Sequence, residues 1–144
     1  MKKQCEEILA EIYRNAQLAL QSISNLMPEV DDALAREELS RQHEEYEKFS
    51  SRALVIAKNK DIELKEPNPL KKAMMWGSIK MSAMKDNSLA HVADMMLQGT
   101  IMGITALRSS QNMAKPDEDE EVLALLDEMI QAEERFEKTW KEYL

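Results

Sequence analysis

One cysteine, three glycines and four prolines in 144 residues leave little material for a cross-linked or turn-rich fold. A single thiol makes no intrachain disulfide, which excludes a disulfide scaffold. Basic residues are also short, with 19 Lys and Arg against 27 Asp and Glu for a net charge of −8. Proteins that hold nucleic-acid backbones rely on Lys and Arg to displace counterions, so no nucleic-acid partner is expected. Long apolar runs are missing too. The nearest approach to a membrane span, Leu89 to Leu107, contains His91, Asp94 and Gln98. Asp94 alone would cost about 2.5–3.5 kcal/mol at mid-bilayer, so the stretch reads as a helix buried in protein, with no membrane partner. Met1 to Glu7 carries two lysines with no apolar segment behind them, unlike a signal peptide. A cytoplasmic location in a prokaryote-like cell is expected, with Cys5 as a small core residue.

What is present is 44% hydrophobic residues, enough to build a core, and a length that suits one domain over 1–144. The prolines at 28, 67, 69 and 116 mark off intervals rich in Ala, Leu, Glu, Lys, Gln and Met, which are good helix formers. No interval alternates β-branched residues with period two, so strands have no support. Apolar stripes at spacings of three and four take their place. They run through Cys5, Leu9, Ile12, Ala16, Ala19, Ile23 and Leu26, then through Ala35, Leu39, Gln42, Tyr46, Phe49, Ala53 and Ile56. Two more follow Val92, Met96, Gly99, Gly103, Ala106, Ser110 and Met113, and Val122, Leu126, Met129, Glu133, Phe136, Trp140 and Tyr143. A 3.5-residue period is the seam of helices packed at shallow angles. The expected helices cover about residues 3–27, 31–58, 70–85, 88–113 and 118–143. Asn87 or Ser88 would cap the fourth, and Pro116 with the acidic run after it would open the last.

The links near Pro28 and Pro116 are short, whereas about thirty residues separate Lys58 from Ser88. Two hairpins flanking one long crossover is the connection pattern of ferritin-like bundles. A single helix over 70–113 is the alternative, but Asp86-Asn87-Ser88 favours a break. Lys58 to Lys85 holds seven Lys against Asp61, Glu63 and Glu66, a local excess of +4. Pairing with the acidic helices is the simplest use of that charge, and an anionic partner is the alternative.

Carboxylate di-metal bundles take one Glu from each of two helices and Glu-x-x-His from each of the other two. Here serine stands three residues before both histidines, Ser40 before His43 and Ser88 before His91. The two imidazoles would differ by about 13 Å in height even on parallel helices. Atypical ligands remain as candidates: Glu11, His43, Glu47, His91, Asp94 and Glu133, for Fe or Mn. Glu133 and Gln42 are polar residues on the seams. Glu133 is expected to accept a hydrogen bond from Gln42 or Tyr46, to be a remnant ligand with Phe136 in the histidine's place, or to reach solvent. His91 and Asp94 are also read as a surface pair. Eight of the eleven methionines fall between 74 and 113, as core filling, as an adaptable contact surface, or as a soft-metal site at Met81/Met84 and Met95/Met102. Gly99-x-x-x-Gly103 permits close helix approach, inside the chain or across a dimer. No Ser-His-Asp set, phosphate-binding glycine loop or zinc spacing is recognisable, so catalysis has almost no residue-level support.

The segments Met75-Trp76-Gly77-Ser78-Ile79-Lys80-Met81, Ser88-Leu89-Ala90-His91-Val92-Ala93-Asp94-Met95 and Gln98-Gly99-Thr100-Ile101-Met102-Gly103-Ile104 resemble uncharacterised bacterial proteins of the ferritin-like superfamily, relatives of rubrerythrin. The resemblance is strongest over residues 74–107. It implies an all-α, ferritin-like four-helix bundle whose long crossover holds a short extra helix, often dimeric, with metal chemistry only where ligands match. Glu133 is the one residue that aligns with a ligand. A non-enzymatic bundle acting by self-association through Met95, Gly99, Met102 and Gly103 is therefore expected, with no cofactor. The alternatives are a metal-dependent oxidoreductase or metal store, and a small-ligand carrier lined by Met and Trp76.

Overall fold

The computed structural model describes residues 2–65, 69–115 and 119–144, with side chains described over 4–65, 77–115 and 119–144. The chain is all-helical, and no strand occurs among the described residues. Five helices follow one another: α1 Lys2–Leu26, α2 Ala33–Asn59, α3 Pro69–Lys85, α4 Leu89–Met113 and α5 Glu120–Glu142, with a 3-10 turn at Met27–Glu29. Pro67, Pro116 and the side chain of Trp76 lie outside the described residues, and with them the expected opening of α5 at Pro116 and the Trp76-lined pocket. No described helix is long and apolar enough to cross a membrane.

The helix ends have local chemical causes. Asp32 caps α2 by accepting from the Ala35 N–H at 2.9 Å. Ser88, not Asn87, caps α4 by accepting from the His91 N–H at 3.3 Å, so residues 70–113 form two helices. Asn87 instead donates its amide to the Glu29 carbonyl at 2.9 Å and ties this break to the first turn. Asp119 caps α5, accepting from the N–H groups of Glu121 and Val122, and Glu120 and Glu121 oppose the dipole in the first turn. The C-terminus of α2 closes differently. The Ile62 N–H returns to the Ala57 carbonyl at 2.8 Å, the Asp61 N–H returns to Lys58, and Asp61 takes φ 55°. This is a Schellman closure with aspartate in the left-handed position usually given to glycine. Ile62 buries its side chain beneath it.

Burial follows the stripes on α1, α2 and α5, where every predicted seam residue is buried or half-buried. On α4 the seam differs from expectation. Val92, Met96, Thr100, Gly103 and Leu107 are buried, whereas Gly99 and Met113 are exposed and Ala106 and Ser110 are half-buried. From Val92 to Gly103 the buried face advances eleven residues in three turns. That matches a nearly straight helix, and the strict 3.5-residue period drifts off its face.

Cross-helix pairs give the relative directions. Gln17 donates to Ser50 at 2.8 Å and Ser24 meets His43, so α1 and α2 are antiparallel. Lys60 pairs with Asp119, Arg52 with Glu128, Tyr46 with Glu133 and Gln42 with Trp140, so α2 and α5 are antiparallel. Arg108–Glu134 and Gln111–Asp127 join α4 to α5, also antiparallel. The helix α3 packs along α1. Two lysines of the basic segment pair within the chain, Lys60 with Asp119 and Lys80 with Glu29 at 4.0 Å.

Candidate functional site

Position 133 on α5 faces the core because it continues the stripe from Leu126 and Met129 to Phe136 and Trp140. The residue is 2% exposed, and its carboxyl has one donor, the Tyr46 hydroxyl of α2, at 3.1 Å from Oε1. Oε2 is buried with no hydrogen-bond partner among the described residues. From the α4 side the carboxyl is met by Gly103, where an ideal Cβ would lie 2.8 Å from Oε2. A side chain at 103 would force the Glu133 carboxyl to shift. Tyr46 in turn stacks obliquely on Phe136, centroids 5.3 Å apart at 55°.

Burial disfavours the charged form and pushes the Glu133 carboxyl up to about 8, against the opposing pull of the Tyr46 hydrogen bond. At neutral pH the group is therefore mainly the neutral acid. Tyr46 moves the same way, held well above the usual phenol range by burial and then by Glu133.

One turn along α2 from Tyr46 and two turns along α5 from Glu133, a second buried polar set spans the same two helices. Trp140 Nε1 donates to Gln42 Oε1 at 3.1 Å, and Gln42 Nε2 donates to Glu38 Oε1 at 3.1 Å. Arg41 pairs with the other oxygen of Glu38 and leads the set to the surface. Every polar atom named in this chain is satisfied, in contrast to Glu133. Of the two donors expected for Glu133, Tyr46 fills the role and Gln42 serves Trp140 and Glu38.

The other candidate ligands are dispersed. His43 lies at the surface of α2, with Nδ1 2.7 Å from Glu47 and Nε2 3.4 Å from the Ser24 hydroxyl. Glu11 holds Arg14 and Asn15 on α1. His91 meets the Ser82 hydroxyl at 2.8 Å, and exposed Asp94 accepts from Gln98. His91 and Asp94 thus have separate partners and do not pair with each other. Among the described residues no three His, Cys, Asp or Glu side chains are placed to hold a metal ion. A carboxylate di-metal centre does not fit this core, since Glu133 faces a phenol, a glycine and, one turn on, Phe136.

Ser24, His43 and Glu47 are aligned as hydroxyl, imidazole and carboxylate, an arrangement hidden from the sequence because Ser24 comes from another helix. All three sit within regular helices, whose backbone N–H groups are committed to helical bonds.

The expected interface residues divide. Gly103 is buried and serves Glu133 within the chain, which removes it from any outer surface. Met95 is half-buried against the core. Met102 is 73% exposed, and Gly99 has nothing within 4 Å of an ideal Cβ. Comparison with family profiles, with characterised proteins and with solved structures gave no match to this chain.

Proposed function

We propose that this chain is a ferritin-like four-helix bundle that works as a scaffold for association, forming a homodimer through one flank of α4. The observation that carries this is the charge on α4. Only Asp94 and Arg108 are charged among its 25 residues, against ten charged residues besides the buried Glu133 among the 23 of α5.

On the helical wheel Met95, Gly99, Met102, Ala106 and Met113 fall within about 60° of one another. Met102 and Met113 are 73% and 75% exposed. Soluble surfaces rarely spend a helix flank on methionine and glycine without a partner, and methionine adapts to an opposing surface. A twofold dimer is the simplest closed use of one such flank.

The ferritin-like topology has its own support. The antiparallel pairs α1/α2, α2/α5 and α4/α5 imply that α2 and α4 run in the same direction. Their connection must then travel the length of the helices, and α3 packed on α1 is suited to that path. Cytoplasmic residence belongs to the same proposal, since the sequence has one cysteine, Cys5, and it is buried.

Sedimentation velocity of the wild type and of Met102→Glu tests the function. The wild type is expected to sediment as a dimer at micromolar concentration and the variant as a monomer with unchanged helix content. Identical sedimentation of the two would overturn the assignment of the interface.

A further inference from the structure

We propose that the Tyr46–Glu133–Gly103 contact is a proton-operated latch, which holds α4 and α5 against α2 while the carboxyl is neutral and loosens that junction when its proton leaves. The geometry carries this independently of the dimer. Glu133 is 2% exposed, one oxygen has a single neutral donor, and the other has none. A carboxylate in such a place lacks the cation or the two or three donors that stabilise buried negative charge. Its remaining neighbour, Gly103, offers no side chain, and its N–H belongs to the α4 ladder. An ionised Glu133 has one route to solvation, which is to part the helices.

Among the described residues no ionisable group other than Tyr46 acts on Glu133. The buried residues of α4 are Val92, Ala93, Met96, Leu97, Thr100, Gly103 and Leu107, none of which titrates. From α2 the facing group is Tyr46, whose own proton is firmly held. On α1 the buried ionisable residues are Cys5 and Tyr13. The Gln17–Ser50 and Ser24–His43 pairs put the level of Tyr46 near residue 21 of α1, about 12 Å along the axis from Tyr13. On α5 the flanking charges, Glu134, Arg135 and Glu137, point away, with Glu134 paired to Arg108.

The sign follows from the folded value. Burial places it near 8, above the ordinary 4.5 of the unfolded chain. The stabilisation is complete below the unfolded value and is lost as pH rises through the folded one.

The test uses the full chain in a Trp76→Phe background, which leaves Trp140, donor to Gln42 one turn from Tyr46, as the single tryptophan. Urea unfolding of this protein and of its Glu133→Gln form is compared from about pH 5 to about pH 9. The unfolding constant of the Glu133 form is expected to rise at least about tenfold relative to the Gln form across that range. In native buffer its Trp140 emission should shift to the red above pH 8 with helix content retained, and the Gln form should show no shift. A constant ratio of unfolding constants, or identical emission profiles, would overturn the latch. Should Glu133→Gln fail to fold, infrared spectra of the wild type decide. A carboxylic-acid C=O band at pH 7 that fades toward about pH 9 is expected, and its absence at pH 7 would overturn the proposal.

Discussion

The carboxyl of Glu133 occupies the space that a side chain at position 103 would need, with Oε2 2.8 Å from an ideal Cβ on Gly103. The two residues come from antiparallel helices and form one packing unit with Tyr46. Neither has an apolar side chain, yet their fit sets how closely α4 approaches α5.

Gly103→Ala is therefore expected to destabilise the protein by about 1–2 kcal/mol, because overpacking and the disturbed Tyr46 bond outweigh about 1 kcal/mol of alanine's helix propensity. In a Glu133→Ala background the same change should become stabilising, since the conflict is gone. Gly99→Ala provides the control. Its Cβ would meet nothing within 4 Å, so a gain of about 0.5–1 kcal/mol is expected. Urea unfolding of the three variants and the double variant measures all of these.

Trp140→Phe should cost about 2–4 kcal/mol, combining lost packing of a fully buried side chain with an abandoned Gln42 carbonyl. Replacing Gln42 with leucine as well removes the orphaned acceptor. The double variant is expected to recover part of the loss in thermal unfolding, and purely additive losses would exclude the hydrogen bond as a contributor.

Asp61→Gly should stabilise the chain by about 0.5–1 kcal/mol, because glycine enters the left-handed conformation without the penalty aspartate incurs. The φ of 55° at Asp61 and the Ile62 N–H return to Ala57 define that site. Chemical denaturation gives the number, and a loss of stability would mean that α2 does not close this way.

Much of the fold was legible because burial there is carried by side chains. All seven predicted seam residues of α2, Ala35 to Ile56, are buried, and Asp86-Asn87-Ser88 marked the break between α3 and α4. The α4 seam was misassigned where side chains say least. Gly99 and Gly103 are indistinguishable by composition, and a strict 3.5 period included both. Thr100 gives no apolar signal, yet it faces the core because its hydroxyl donates to the Met96 carbonyl at 2.7 Å. Glu133 was recognisable as an odd polar residue on a seam, and Tyr46 as a possible donor. Its fit against Gly103 was not, since glycine leaves no pattern to read. The Ser24–His43–Glu47 alignment was equally hidden, because it depends on the register of α1 against α2.

Light scattering over a micromolar concentration series tests self-association most directly. The chain has a mass of 16.6 kDa. A particle of about twice that mass at the upper concentrations is the predicted result, and a mass of 16.6 kDa at every concentration would contradict it.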